Sequence, residues 1–297
     1  MDTEHWKILL TALEKGSLCA AGEALDYTVS GISRSVAALE KEIGIPLLYR
    51  SKQGVAPTPA CEQLLPSVRE LLFAQAKIEQ TAAQILGYEQ GTISIGTAYR
   101  HYYPWITEVT SAFHELHPGV QFHIVHGTST ELVQKLEHHQ LDFCIISARE
   151  GAHGWLPLCQ DPLLAVVPAG HPLANHESVT LAELLPEPYI QTCPGQDGDT
   201  VRFFRHRKVM PDVRFSTADF QATYAMVGAG LGYTIGNRIN SNFNDLTVRH
   251  LAIDPPEMIE IGLAYEEVPA PAAGAFLKFI RMRLPKETTY SEKRSHS

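Results

Sequence analysis

Two short helical segments set almost back to back restrict this chain more than any other stretch. On Leu18 to Leu25, Ala20, Ala21, Ala24 and Leu25 are expected to face inward. On the segment that opens at Thr28 and runs to Glu42, Ile32, Val36, Leu39 and the following Ile43 recur at intervals of four, three and four, the repeat of one helical face. Only Asp26-Tyr27-Thr28 separates the two. Helices joined by so tight a turn form a helix-turn-helix if the second is free to enter a DNA groove, and an ordinary helical hairpin of a larger core if it is not. The second segment begins with Thr28, Ser30, Gly31, Ser33 and Arg34. These are small hydroxyl residues and one guanidinium, placed where a recognition helix meets base edges and phosphates.

The residues that follow narrow the choice. Gly44-Ile45-Pro46-Leu47-Leu48-Tyr49-Arg50-Ser51 ends the helix and leads into a loop, and Val55-Ala56-Pro57-Thr58-Pro59 returns to helix. The run from Gly16 to Pro59 resembles the winged helix-turn-helix of LysR-type transcriptional regulators. Gly16-Ser17, Ala20-Ala21, Ser33-Arg34, Leu39-Glu40, Gly44, Pro46-Leu47, Arg50 and Thr58-Pro59 carry the resemblance. It implies double-stranded promoter or operator DNA as a partner. The residues expected to face DNA are Thr28, Ser30, Gly31, Ser33, Arg34, Arg50, Lys52 and Thr58. The sequence departs from the family at three positions: Leu18 stands where Phe is frequent, Val29 where Gln is frequent, and Cys61 where Gly is usual. With no amide at Val29, the base preference of the family does not carry over.

At 297 residues the chain is long enough for two or three compact domains. Its net charge of −9 is spread along the sequence, so DNA affinity requires a local cluster, which Arg34, Arg50 and Lys52 supply. No run approaches the roughly 18 apolar residues that span a bilayer. The opening MDTEHWKILL has acidic residues where a signal peptide carries basic ones, and the expected location is cytoplasmic. The five cysteines, Cys19, Cys61, Cys144, Cys159 and Cys193, contain no Cys-x-x-Cys pair and do not read as a disulfide framework. Some LysR-type regulators sense oxidants through a cysteine pair in the second effector subdomain. Only Cys193 falls there, which does not match that design.

Before these elements, Trp6, Leu9, Leu10 and Leu13 mark the buried face of a first helix. After them, Thr58 and Pro59 open a long helix as N-cap and first residue. Cys61, Leu64, Val68, Leu71, Gln75, Ile78, Ala82 and Ile85 form a heptad seam along it, suited to pairing with another helix. Pro66 is expected to bend its first turns, and Gly87 to end it. This predicts a dimerisation helix, and the resemblance adds a homodimer or homotetramer.

From Thr92 the pattern changes to strands alternating with helices, which implies βαβ units and a parallel sheet. Ile95-Gly96, His117-Pro118-Gly119-Val120, Leu141-Asp142-Phe143 and Val227-Gly228-Ala229-Gly230-Leu231-Gly232 make this half resemble the effector-binding domain of LysR-type regulators, itself similar to type 2 periplasmic solute-binding proteins. The fold class is therefore α/β, with an all-α winged helix-turn-helix at 1–58, a linker helix at 59–87 and an effector domain at 92–284. Its subdomain I covers about 92–160 and 261–284, and subdomain II about 161–260. The chain is expected to cross between them near Leu158 to Pro162 and near Pro255 to Ile261, and 285–297 to be a disordered tail.

Ligands of open α/β sheets bind beyond the carboxyl ends of strands, where helix N-termini present free N–H groups. That rule selects Thr97, Ala98, Tyr99, Thr128, Ser129, Ser147, Thr192, Cys193 and Ser216. Their hydroxyls, with helix N-termini, suit a small-molecule effector bearing a carboxylate or another small anion. The cluster Tyr99, Arg100, His101, Tyr102, Tyr103 offers an aromatic or charged contact. The glycines of Gly228-Ala229-Gly230-Leu231-Gly232 close a helix and lead into a strand, the reverse of a dinucleotide fingerprint, and no cofactor is implied. The fourteen histidines, among them His114 and His117, His123 and His126, and His138-His139, have no completing Cys or carboxylate at zinc-like spacing, so no metal is expected. No nucleophile elbow, His-Glu-x-x-His or P-loop lysine is present, and the chain is not expected to be an enzyme. The competing reading is a solute-binding protein without DNA function, which would have no use for the first ninety residues.

Overall fold

The computed structural model describes residues 2–86, 90–151 and 153–285. The expected helix end at Gly87 and all of the expected tail beyond residue 285 lie outside the described residues. The chain divides into two compact units, Met1–Tyr88 and Glu89–Ser297. No helix among the described residues is long and apolar enough to cross a membrane.

The first unit opens with α1 (Thr3–Lys15), α2 (Leu18–Leu25) and α3 (Val29–Ile43). Each is started by a side chain that takes up N–H groups left unpaired at a helix end: Asp2 for Glu4, Ser17 for Cys19 and Ala20, Thr28 for Gly31. Gly16 and Gly44 end α1 and α3 with φ of 64° and 83°, the left-handed turn that only glycine takes without penalty. A two-stranded antiparallel wing of β1 (Leu48–Ser51) and β2 (Gly54–Pro57) follows, then α4 (Pro59–Ile85). The core joins Trp6, Ile8, Leu9 and Ala12 of α1, Ala21 of α2, and Ile32, Val36 and Leu39 of α3 to Leu47, Cys61 and Val68. Ala24 of α2, expected to face inward, is exposed, because a helix of two turns buries only a narrow stripe and Ala21 with Gly22 fills it. α4 runs on through Pro66. Its heptad seam divides: Cys61 and Val68 are buried in the unit's own core, whereas Leu71, Ile78 and Ile85 are 43%, 70% and 80% exposed.

In the second unit, β3 (Gly91–Thr97), α5 (Tyr103–Leu116), β4 (Val120–His126), α6 (Ser129–Glu137) and β5 (Phe143–Ser147) build a first parallel set, β3 pairing with both β4 and β5. The chain continues through β6 (Gly154–Pro168), β7 (Ser178–Thr180), α7 (Leu181–Leu184), β8 (Tyr189–Thr192), α8 (Asp199–Arg207) and β9 (Val213–Thr217). It closes with α9 (Phe220–Gly228), β10 (Thr234–Asn237), β11 (Val248–Asp254), β12 (Met258–Tyr265) and α10 (Pro271–Arg281). One sheet has the order β4-β3-β5-β12-β6-β11-β7, with β10 also on β6, and β8 pairs with β9 beside it. The sheet is not parallel throughout, as the alternation predicts. β12 runs antiparallel to β5 and β6, and β10 and β11 run antiparallel to β6. The reason is connectivity: a chain that leaves one lobe on β6 returns on β12 in the opposite sense.

Two cores result. The first gathers Ile93, Ile106, Phe113, Phe143 and Phe276, with Phe113 and Phe276 rings 5.0 Å apart edge to face. The second gathers Leu163, Val179, Tyr189, Phe203, Tyr233 and Leu251. Asp142 ties the first lobe together across β3: Ser94 N–H donates to its carboxylate at 2.8 Å, and its own N–H donates to Ser94 O at 2.9 Å. Burial pushes the Asp142 carboxyl up from 3.8 to about 6, against the pull of the Ser94 N–H. An unfolded chain therefore loses this proton first, and the stability held below pH 3.8 is lost as pH rises to about 6. Asp142→Asn keeps the acceptor and removes the charge. Its thermal midpoint should match the parent below about pH 4 and exceed it above about pH 6, measured by circular dichroism across that range. A difference independent of pH would contradict this.

Candidate functional site

The reading surface of the first unit depends on how α3 is held. Gly22 makes the turn possible: a Cβ there would stand 2.6 Å from the Tyr27 carbonyl oxygen, while Tyr27 N–H donates to Gly22 O at 2.9 Å. With Ile32, Val36 and Leu39 in the core, the front of α3 leaves Thr28, Ser30 and Arg34 exposed and Gly31 and Ser33 half-buried. Thr28 and Ser30 hydroxyls lie 3.1 Å apart, and Arg34 Nε donates to Ser30 O at 3.2 Å, which lays the guanidinium along the first turn. Glu40 Oε1 accepts Leu47 and Leu48 N–H at 2.7 and 3.2 Å and fastens the wing to α3. Arg50, from β1, donates to Ser33 Oγ at 2.8 Å and stands 3.9 Å from Glu40. Lys52 is exposed in the turn between β1 and β2. Val55 N–H donates to Gly16 O at 3.0 Å, and a Cβ on Gly54 would collide with that same oxygen.

Thr58 stands apart from the other residues expected to face DNA. It is 5% exposed, its hydroxyl donates to Pro46 O at 2.8 Å and it accepts Cys61 N–H at 3.1 Å. Its side chain is consumed in joining α4 to the wing. The apolar Tyr27 and Val29 are 44% and 48% exposed beside the hydroxyl cluster.

In the second unit a cleft of about 770 Å³ opens between the lobes at the carboxyl ends of the strands. Ala98, Tyr99, Thr128, Ser129, Thr192 and Cys193 line it, as the strand-end rule expects. Thr97, Ser147 and Ser216 do not. Thr97 is fully buried and turns its hydroxyl onto the backbone of Tyr99, to O at 3.0 Å and from N at 3.1 Å. Ser147, also fully buried, accepts from Arg202 at 3.0 Å. Ser216 is exposed on β9.

Two of the helix starts at the cleft are already capped: Glu131 and Thr128 close a capping box on α6, and Asp219 accepts Ala222 N–H at 2.8 Å on α9, whereas α8, which opens at Asp199, has no side-chain cap. Side chains add positive charge in the cleft, notably Arg149, which the strand-end rule passes over. Asp199 is the centre of a network across the lobes. Its Oδ1 lies 2.6 Å from Arg202 Nη2 and 3.6 Å from Arg149 Nη1, and its Oδ2 accepts the Tyr99 hydroxyl at 3.1 Å. Arg202 also donates to Ala148 O at 2.9 Å, and Arg149 to Asp197 O at 2.9 Å. Thr130 donates to Asp197 O and Thr128 to Gln196 Oε1, both at 3.3 Å. Burial first, and the Asp199 charge second, push the Tyr99 phenol well above its usual range, so it is a hydrogen-bond donor at neutral pH.

Phe220, Tyr224, Ile235, Asn237 and Ile239 supply further wall. The Cys193 thiol is pushed up by burial and then by Glu131 and Asp219, which keeps it protonated at neutral pH. His126 is pulled down by burial and by Arg100. Among the described residues no group of three His, Cys, Asp or Glu side chains is placed to hold a metal. The glycine stretch after α9 is a helix-to-strand turn. Gly230 has φ 80°, and Gly232, at φ 149°, passes so close to Pro188 O that a Cβ would collide with it.

An exposed α3 braced by a wing, followed by a two-lobed α/β cleft, defines a DNA-reading protein coupled to a ligand-binding domain. Residues 3–62 match the description "Bacterial regulatory helix-turn-helix protein, lysR family", and residues 87–285 match "LysR substrate binding domain". The chain belongs to the LysR family of helix-turn-helix transcriptional regulators. Among relatives, it is 29% identical over 236 residues to the uncharacterized HTH-type transcriptional regulator YvbU of Bacillus subtilis, covering 79% of this chain and 81% of that one. A full-length OxyR variant from Pseudomonas aeruginosa shares the fold with a TM-score of 0.71 at 18% identity, covering 96% of this chain and 94% of that one. HinK, a LysR family transcriptional regulator from Pseudomonas aeruginosa, aligns at 26% identity with a TM-score of 0.53, covering 95% and 98%.

Gly22→Ala tests whether the turn before α3 is as tight as described, since the carbonyl it would strike belongs to the backbone. The variant should lose about 1–3 kcal/mol of stability in the first unit, read from urea unfolding against the parent chain. An unchanged midpoint would show that the turn relaxes without cost.

Proposed function

We propose that this regulator reads duplex DNA with the N-terminal turn of α3 and the wing, works as a dimer built on α4, and is switched by a small carboxylate held between the lobes of its second unit. The observation that carries the DNA reading is the division of α3 into a buried apolar back and an exposed polar start. Arg34 and Ser30 then meet base edges or phosphates, Lys52 a phosphate at the wing, and Arg50 holds Ser33 and the wing in register with α3. Val29, exposed where the family often has an amide, suits apolar contact with a thymine methyl. Thr58 contributes by fixing the wing rather than by touching DNA. The exposed Leu71, Ile78 and Ile85 recur every seven residues along α4, the spacing of a helix-pairing seam. Dimers pairing into tetramers, in the cytoplasm, complete the reading.

The switch needs a difference in effector affinity between two arrangements of the lobes. An effector that bridges them changes the angle between them and so the spacing of the reading heads. Carboxylates suit the cleft because Arg149 lines it.

Fluorescence anisotropy against the DNA upstream of the protein's own gene, at several salt concentrations, tests the first part. Arg34→Ala should weaken specific binding about tenfold or more while circular dichroism and dimer mass stay unchanged. Lys52→Ala should weaken all duplexes alike and lower the salt slope by about 1. Parent-like affinity in Arg34→Ala would remove α3 from recognition.

A further inference from the structure

We propose that Asp199 is a built-in occupant of the effector's anion seat, and that an effector carboxylate binds by taking its place on Arg149 and Arg202. This rests on the reading of the cleft as the effector site and adds how that site is occupied and released. Asp199 belongs to α8 of the second lobe, yet Tyr99 and Arg149, two of the three side chains gathered on its carboxylate, come from the first. The third, Arg202, lies one turn along α8 and reaches across to Ser147 and Ala148. An acidic side chain is thus held where a bridging ligand would sit.

The seat is richer in donors than Asp199 can use. The Arg149 side chain is only 10% exposed, but its Nη1 stands 3.6 Å from the nearest Asp199 oxygen and has no hydrogen-bond partner among the described residues. Asn237 Nδ2, on a cleft residue that is 7% exposed, has none either, nor has the buried Nε of Arg202. Buried donors in folded proteins are almost always satisfied, and two left over in the cleft wall, with a third on Arg202 beside Asp199, ask for a group made of acceptors. A carboxylate answers that demand and matches the charge of the guanidinium. The remaining wall, with Phe220, Tyr224, Ile235 and Ile239, takes an apolar body. The ligand class is a monocarboxylic acid with an aromatic or branched aliphatic body.

Displacement also explains how binding reaches the lobes. The bond from Tyr99 to Asp199 is one of the ties between them, so an effector that expels Asp199 breaks a tie as it forms its own. The loop leading into α8 carries Gly195 at φ 81°, with Gly198 immediately before Asp199, which gives that end of the helix room to shift.

The test is calorimetric titration of the full-length protein with benzoate, phenylacetate and 3-methylbutanoate, each beside its amide. The parent should take at least one acid and prefer it to its amide about tenfold or more. Asp199→Asn removes the competing charge and keeps the shape, and should bind the same acid about tenfold tighter. Tyr99→Phe, which removes one hydroxyl from the occupant, should tighten it by a smaller factor, and it carries the test should Asp199→Asn fail to fold. Arg149→Gln should lose the acid. Equal or weaker acid binding in a folded Asp199→Asn, with loss in Arg149→Gln, overturns the displacement and leaves the cleft as the effector site. Acid binding untouched by Arg149→Gln places the ligand elsewhere and overturns both. Amides bound as tightly as acids, or no acid bound by either the parent or Asp199→Asn, also overturn the proposal.

Discussion

The second unit depends on β6 being hydrogen-bonded along its whole length while serving two cores. Its early residues contribute Leu158 to the first core, and Leu163, Ala165 and Val167 to the second. An extended strand cannot leave its N–H and C=O groups unpaired between lobes, so β12 accompanies it through the crossing, with a register shift between Ile261 and Gly262. Asp161 lies in that crossing, fully buried, and accepts Ile239 N–H at 3.0 Å. The lobes therefore cannot separate without breaking a ladder. They can only turn about it, and the cleft opens on the side where no strand crosses. Among the described residues the ties that close that side include those made by the side chains of Arg149, Arg202, Tyr99, Thr128, Thr130 and Gln196.

Electrostatics in both units follow one pattern. The chain is acidic overall, yet each functional surface places a guanidinium against a carboxylate and a hydroxyl: Arg50 with Glu40 and Ser33, Arg202 with Asp199 and Ser147. In the first unit the arrangement is half exposed and braces a rigid wing. In the second the carboxylate is buried and the guanidinium partly so, where a charge must be matched and an unmatched one is costly. The same three groups therefore stand half exposed beside the wing and largely buried between the lobes.

How much of this the sequence discloses varies with the kind of information. The buried face of α3 repeats with helical period, and Ile32, Val36 and Leu39 could be placed from spacing alone. Strand ends and helix starts mark Ala98, Tyr99, Thr128, Ser129, Thr192 and Cys193, because local chain geometry decides them. Thr58 misled because a threonine beside a basic wing has the same letter whether its hydroxyl faces a phosphate or caps a helix. Arg149 and Asp199 were passed over since they meet only when two lobes fold together, fifty residues apart. Strand direction was unreadable for a similar reason: alternation of helix and strand records order, and the antiparallel return of β12 is a property of tertiary connection.

One consequence of α4 concerns rotation. Its first turns are locked into the reading head by Cys61 and Val68, and its exposed apolar residues begin at Leu71 on the same continuous helix. Twenty-seven residues make a rod about 40 Å long. Head and seam thus share one torsional phase. Each residue added or removed between Val68 and Leu71 would turn the seam by about 100° relative to the head. In a dimer paired through that seam, as proposed, the azimuth of α3 about the pairing axis would be written into the residue count of that segment rather than into any contact at the DNA surface.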